Sequence, residues 1–150
     1  MILYRITNCE YADDLGGTGA RLFGGRWNSE GKSMLYLASS RALAVLEVLV
    51  HLPPLMIPDN YCLVEIDVPD SSITEMKTED LPADWKDVSP PASLKQIGNK
   101  FLKKKEHLLM KVPSSIVPME YNYLLNPHHA DIKKVKVIKK ENFSFDERLV

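Results

Sequence analysis

Arg26 follows two glycines in Gly24-Gly25-Arg26-Trp27-Asn28. Glycines let a backbone approach a bound group closely, and a guanidinium offers a planar fork that matches phosphate. The same pattern also suits an exposed loop arginine beside a tryptophan that plugs the core. Further along, Tyr36 stands between Leu35 and Leu37 on a short apolar segment, so it occupies the opposite strand face, as core or as pocket wall. Then comes Glu47, inside the nearly all-apolar run from Arg41 to His51. A helix that is apolar on every face is expected to be buried. A carboxylate within it is costly unless a cation, a donor or a ligand compensates. His51 lies four residues on, along the same side of that helix. A cation, an aromatic ring and an acid on three consecutive elements are the parts of a ligand pocket.

Other residues enter with less force. Arg5 interrupts the apolar segment Ile2-Leu3-Tyr4-Arg5-Ile6; it either snorkels outward or lines a pocket. Ser114 and Ser115 lie between Pro113 and Pro118, without the GxSxG elbow of a serine hydrolase, which leaves hydrogen bonding to a ligand or turn capping. Gly17-Thr18-Gly19 fails as a dinucleotide fingerprint because Leu22 stands where a third glycine belongs. Four histidines, two of them adjacent at 128 and 129, show no zinc-ligand spacing, so no metal is expected.

The elements that must carry these groups can be read from periodicity and punctuation. Ile2 to Ile6 and Met34 to Ala38 are predicted strands, joined by a long ordered loop over residues 8–33. Ser39 or Ser40 caps a helix from about Arg41 to His51, which Pro53-Pro54 stops. Tyr61 to Val68 alternates, with Cys62, Val64, Ile66 and Val68 on one face, and is a half-buried strand. Residues 69–92 are a polar surface excursion. A capping box of Ser93 and Gln96 opens an amphipathic helix carrying Leu94, Ile97, Phe101 and Leu102. Leu108 to Val112 and Val135 to Ile138 are strands, and Asn122 to His129 is polar and turn-like. Strands outnumber helices without regular βαβ alternation, which favours a single α+β domain over residues 1–150.

Composition narrows the class of function. Apolar residues make up 45%, enough for one globular core. The 19 basic and 20 acidic residues leave a formal charge of −1, which argues against direct nucleic-acid binding. No apolar run approaches the roughly 20 residues of a membrane helix, and the start meets Arg5 too early for a signal peptide. Cys9 and Cys62 form no CxxC pair; a disulfide is not expected, and a reducing cytoplasm is the simplest location.

In order along the chain, Tyr4-Arg5-Ile6, Gly24-Gly25-Arg26-Trp27-Asn28 with Gly31, and Leu35-Tyr36-Leu37-Ala38-Ser39 come first. Ala42-Leu43-Ala44-Val45-Leu46-Glu47-Val48 with His51, Leu81-Pro82 with Trp85, and Val112-Pro113-Ser114-Ser115 follow. Asn122-Tyr123-Leu124-Leu125-Asn126-Pro127 and Phe145-Asp146-Glu147-Arg148-Leu149 complete the series. This pattern resembles the RES-domain toxins of bacterial Xre–RES toxin–antitoxin pairs over almost the whole chain, with few matches in residues 69–92.

The resemblance implies a compact α+β fold of twisted mixed and antiparallel sheets with flanking helices, related to ADP-ribosyltransferases. It implies attack on NAD⁺ at the nicotinamide–ribose bond, with NAD⁺ as substrate and no cofactor. By this likeness Arg5 and Arg26 hold the pyrophosphate, Tyr36 lines the nicotinamide-ribose pocket and Glu47 is the acidic centre. Ser114, with Ser115 as its rival, is the family serine, and Asn126 joins the substrate-binding set. Glu47, Arg26 and Tyr36 form the expected catalytic group.

The expected function is degradation of NAD⁺ by hydrolysis or phosphorolysis, arresting growth, with a cognate Xre-like antitoxin as partner; a homo-oligomer is left open. One rival keeps the chemistry and passes the ADP-ribosyl group to a protein or metabolite. Another, of a different class, is a catalytically silent NAD- or antitoxin-binding module.

Overall fold

The computed structural model describes residues 1–53 and 58–150. Among these residues the chain forms seven strands on one sheet and three α-helices. In chain order they are β1 (Ile2–Asn8), α1 (Thr18–Phe23), β2 (Leu35–Ala38), α2 (Arg41–Leu49), β3 (Tyr61–Asp67), β4 (Ile73–Glu75), α3 (Ala92–Lys104), β5 (Leu109–Pro113), β6 (Tyr121–Leu125) and β7 (Lys136–Phe143). The sheet order is β4-β5-β6-β2-β1-β3-β7. All neighbours run antiparallel except β4 and β5. The architecture is α+β, as the sequence pattern predicts.

The sheet is not evenly knit. β1 pairs with β3 along its whole length, from Ile2 opposite Asp67 to Asn8 opposite Tyr61. With β2 it is in register at Tyr4 and Ala38, and the stretches Arg5 to Thr7 and Leu35 to Leu37 are not paired with each other. The sheet splits there, and both stretches line the large cavity described below.

Three apolar clusters fix the layers. Leu3, Leu35, Leu37, Val64, Ile66, Leu109 and Leu125 pack one side of the sheet. On the other side α2 sets Leu43 and Ala44 against Ile6, Ala38, Leu63 and Phe145. Beside it Leu94, Phe101 and Leu102 of α3 pack with Trp27, Trp85, Met110 and Leu124.

Several sequence expectations are corrected. The 8–33 loop contains α1, a six-residue helix that Gly24 ends at φ 71°; it is too short and too irregular in pattern to show as a period. The 122–129 segment, expected to be turn-like, begins inside β6, whose Asn122 and Tyr123 are held by pairing on both sides. β4 lies within the surface excursion. The Ser93–Gln96 capping box does not form: the helix starts two residues earlier than a Ser93 cap would place it, with Pro91 at the cap position and the Leu94 amide donating to the Pro91 carbonyl. β7 runs on to Phe143 because β3 pairs with it from end to end, across one register shift at Glu65 and Ile66; its exposed lysines and glutamate suit an edge strand and carry no apolar alternation.

α2 is not buried on all faces: Leu46 is 37% exposed, and Val50 at its C-cap is 54% exposed. Only the face carrying Leu43 and Ala44 meets the sheet. The absence of a disulfide is also overturned. Cys9 and Cys62 are bonded, 5.0 Å apart at Cα. The register that sets Asn8 opposite Tyr61 brings Cys9, just beyond β1, to the flank of β3, a proximity that spacing along the chain does not reveal.

Among the described residues, no helix is long and apolar enough to cross a membrane.

Candidate active site

The split between β1 and β2 opens into a cavity of about 1060 Å³, at the upper end of the range for small-molecule sites. Arg5, Arg26, Tyr36, Glu47, Ser115 and Asn122 all contribute to its wall.

Glu47 projects from α2, whose start is fixed by Ser40, its hydroxyl oxygen accepting from the Leu43 amide at 3.1 Å. The acid is half-buried and is gripped from the neighbouring strands. The Ser114 hydroxyl donates to its Oε1 at 2.8 Å and the Asn122 Nδ2 donates to the same oxygen at 2.7 Å. Ser114 in turn accepts from the amides of Ile116 and Val117, both at 3.1 Å.

Arg26 sits on a turn built like a hub. Gly25 cannot carry a side chain, since a Cβ would lie 2.6 Å from the Tyr36 hydroxyl. Asn28 is fully buried; its Nδ2 donates to the carbonyls of Ala20 at 2.8 Å and Lys32 at 2.9 Å, and its Oδ1 accepts from the Tyr36 hydroxyl at 2.7 Å. Trp27 is the core plug expected from its type, and its backbone packs against Gly98 of α3 so closely that a Cβ there would meet the Trp27 carbonyl at 1.6 Å. Ser29 and Asn99 exchange two further bonds between turn and helix. From this base the Arg26 Nη1 donates to the carbonyls of Trp85 at 2.9 Å and Asp87 at 3.0 Å, tying the 85–87 segment to the cavity rim. Burial lowers the pKa of the guanidinium, and the charges of Glu47, Tyr36 and Asp87 oppose that shift. Cation and acid therefore lie within electrostatic reach.

Tyr36 gives its ring to the wall and its hydroxyl to the turn, donating to Asn28 and accepting from the Trp27 amide at 3.1 Å. Burial drives its pKa well above the ordinary phenol value, against the pull of the Trp27 amide and Arg26. It stays protonated and does not act as a base. Arg5, largely buried, donates from Nη1 to the Asp14 carbonyl at 2.7 Å; burial lowers its pKa and Asp14 opposes the shift. Burial raises the Asp14 carboxyl, but the amides of Gly16 and Thr18, the Thr18 side chain and Arg5 together bring it below its usual value.

The structure thus gathers Arg5, Arg26, Tyr36 and Glu47 around one cavity. Ser114 reaches it through Glu47, while Ser115 lines it directly. Asn126 is corrected: it is fully buried outside the cavity, with its Nδ2 donating to the Leu102 carbonyl at 3.0 Å and its Oδ1 accepting from the His128 amide at 3.0 Å. Its polar groups satisfy the end of α3 and the following turn, and none is left for a ligand. Asn122, which sequence reasoning passed over, is the asparagine at the site. Its signal was a polar residue on the strand face otherwise formed by Leu124, with Ala38 and Val112 as its partners.

A family model described as the RES domain matches residues 2–146, and the chain belongs to that family. It is 40% identical over 152 residues to a protein named Toxin Res from Photorhabdus laumondii, spanning 100% of this chain and 97% of that one. It is 42% identical over 143 residues to one named Prs ADP-ribosylating toxin from a Sphingobium species, spanning 93% and 88% respectively. The fold is similar to that of a chain in the crystal structure of the M. tuberculosis MbcT–MbcA toxin–antitoxin complex, with a TM-score of 0.77 and 20% identity over 95% of this chain and 83% of that one.

Proposed function

We propose that this chain is the toxin of a toxin–antitoxin pair and cleaves NAD⁺ between nicotinamide and ribose. The observation that carries the reading is the placement of Glu47 on the wall of a cavity it shares with two half-buried arginines. Breaking the bond sends its electron pair to the nicotinamide nitrogen, which leaves neutral, and builds positive charge on the ribose. A fixed carboxylate stabilises that charge best where water is scarce. The oxygen of water, or of inorganic phosphate, then bonds to the ribose carbon and its proton passes to solvent. Arg26 and Arg5 answer the two phosphate charges, and the Tyr36 ring forms a wall beside the ribose.

A second reading, transfer of ADP-ribose to a protein, draws on the name of the Sphingobium relative and on the cavity mouth. Leu22 is 53%, Phe23 81% and Val88 98% exposed, and all three line it. An apolar rim of this kind suits a macromolecule. It serves equally well for an Xre-like antitoxin that covers the site in the cytoplasm.

Purified protein incubated with NAD⁺, with and without phosphate or cell lysate, separates these outcomes. Free ADP-ribose indicates hydrolysis, a phosphorylated sugar indicates phosphorolysis, and label on a macromolecule indicates transfer. Glu47→Gln is expected to lower nicotinamide release by roughly 10²-fold or more while the circular dichroism spectrum stays native. Unchanged release in that variant refutes the role of the acid.

A further inference from the structure

Resting on the cleavage reading above, we propose that Asn122 is a positioning residue that fixes which oxygen of Glu47 meets the substrate. A carboxylate only accepts, so the Asn122 amide must present its Nδ2 to Glu47, as it does at 2.7 Å. Ser114 is equally constrained. Its oxygen already accepts from the amides of Ile116 and Val117, so its single hydrogen goes to Glu47. Both donors fall on Oε1. Oε2 is left as the oxygen offered to the ribose, and rotation of the carboxylate breaks two bonds at once.

The two donors come from adjoining strands. Asn122 lies on β6 opposite Val112, and Ser114 follows the end of β5. The grip is therefore set by strand register and not by the loops at the cavity mouth. It also removes Ser114 from the list of groups able to attack the ribose carbon, because its lone pairs and its proton are all committed. Asn122 touches the cavity but acts through Glu47, so its loss changes the quality of the acid and leaves the arginines and Tyr36 in place.

Two variants test this. In Asn122→Ala the donor is gone; in Asn122→Asp an isosteric carboxylate faces Glu47. With NAD⁺, kcat is expected to fall roughly 10- to 100-fold in Asn122→Ala, with KM within about twofold of the wild type. In Asn122→Asp the two acids share a proton, so the acidic limb of the pH–rate profile moves to higher pH. The other ionisable groups lining the cavity, the acid Asp14, the cations Arg5, Arg26, Lys86 and Lys95, His51, and the phenols Tyr4, Tyr11 and Tyr36, are the same in both proteins. A shift is therefore assigned to position 122.

A second readout needs no turnover. In protein labelled with ¹³C at glutamate carboxyls, the resonance absent from Glu47→Gln should titrate at higher pH in both Asn122 variants than in the wild type. Unmoved titration and unchanged kcat overturn the positioning role while cleavage stands. Absence of nicotinamide release from wild-type protein sinks the cleavage reading, and the carboxyl titration still decides the grip on Glu47.

Discussion

Tyr36 shows how a side chain expected to act on substrate first serves the backbone. Its hydroxyl joins Asn28 to the Trp27 amide, and so fixes the turn that aims Arg26. Its raised pKa has a consequence for stability. The folded state favours the neutral phenol, so this contribution is complete below the unfolded value of about 10 and is lost as pH rises through the higher folded one. Thermal unfolding between pH 9 and pH 12 should therefore show a steeper alkaline decline in wild-type protein than in Tyr36→Phe. At neutral pH the variant should be less stable by about 1–3 kcal/mol, since the buried Asn28 oxygen loses its donor. Identical alkaline slopes would remove Tyr36 from this account.

Residue types were legible where chemistry is expensive. A charged group in apolar company, as at Arg5 and Glu47, announces a partner or a ligand. Amides do not announce themselves, which is why Asn126 and Asn122 exchange roles between sequence and structure. Both lie in one polar run and share a face by alternation; what separates them is that β6 ends at Leu125, so Asn126 turns into the end of α3 while Asn122 stays on the strand at the cavity wall.

Among the elements, α2 was found from its apolar run, its cap and the prolines that follow it, while its partial exposure was not. Apolar composition says that a face seeks cover and is silent on whether the fold supplies it. The short elements α1 and β4 were missed because six and three residues are too few to show a period. The turn at Arg26 belongs to this scale as well, since it couples three elements. Its guanidinium spends two hydrogen-bond contacts on the 85–87 backbone, and Lys86 of that segment and Val88 just after it line the cavity. Arg26→Ala should therefore do two things together. The affinity for NAD⁺ should fall about 10-fold or more by calorimetric titration, the loss of one charged contact of about 1.5–3 kcal/mol. Amide hydrogen exchange across residues 82–90 should speed up, while β3 and β5 keep their protection. Weaker binding with unaltered exchange would mean that the rim holds itself and that the arginine serves the ligand alone.

The whole molecule is organised around a sheet divided at β1 and β2, and one covalent link bears on that division. The Cys9–Cys62 bond joins residues 53 apart in sequence, at the point where β1 gives way to the 9–17 segment. That segment includes Asp14, whose carbonyl holds Arg5. Closing a loop of this length restricts the unfolded chain and contributes about 2–4 kcal/mol where the native geometry accepts the link. It also pins the near side of the split to β3, which pairs with β1 throughout. Cys62→Ser, or reduction with dithiothreitol, should lower the free energy of unfolding in urea by that amount. The loss at the site should be selective. Arg5 leans on a segment that has lost its tether, so KM for NAD⁺ should rise, whereas kcat should hold because Glu47 keeps its two donors, Ser114 just past β5 and Asn122 on β6, both beyond the split. Reduced and oxidised protein with equal stability and equal KM would show that strand pairing alone sets the cavity wall and that the sulfur link adds nothing to it.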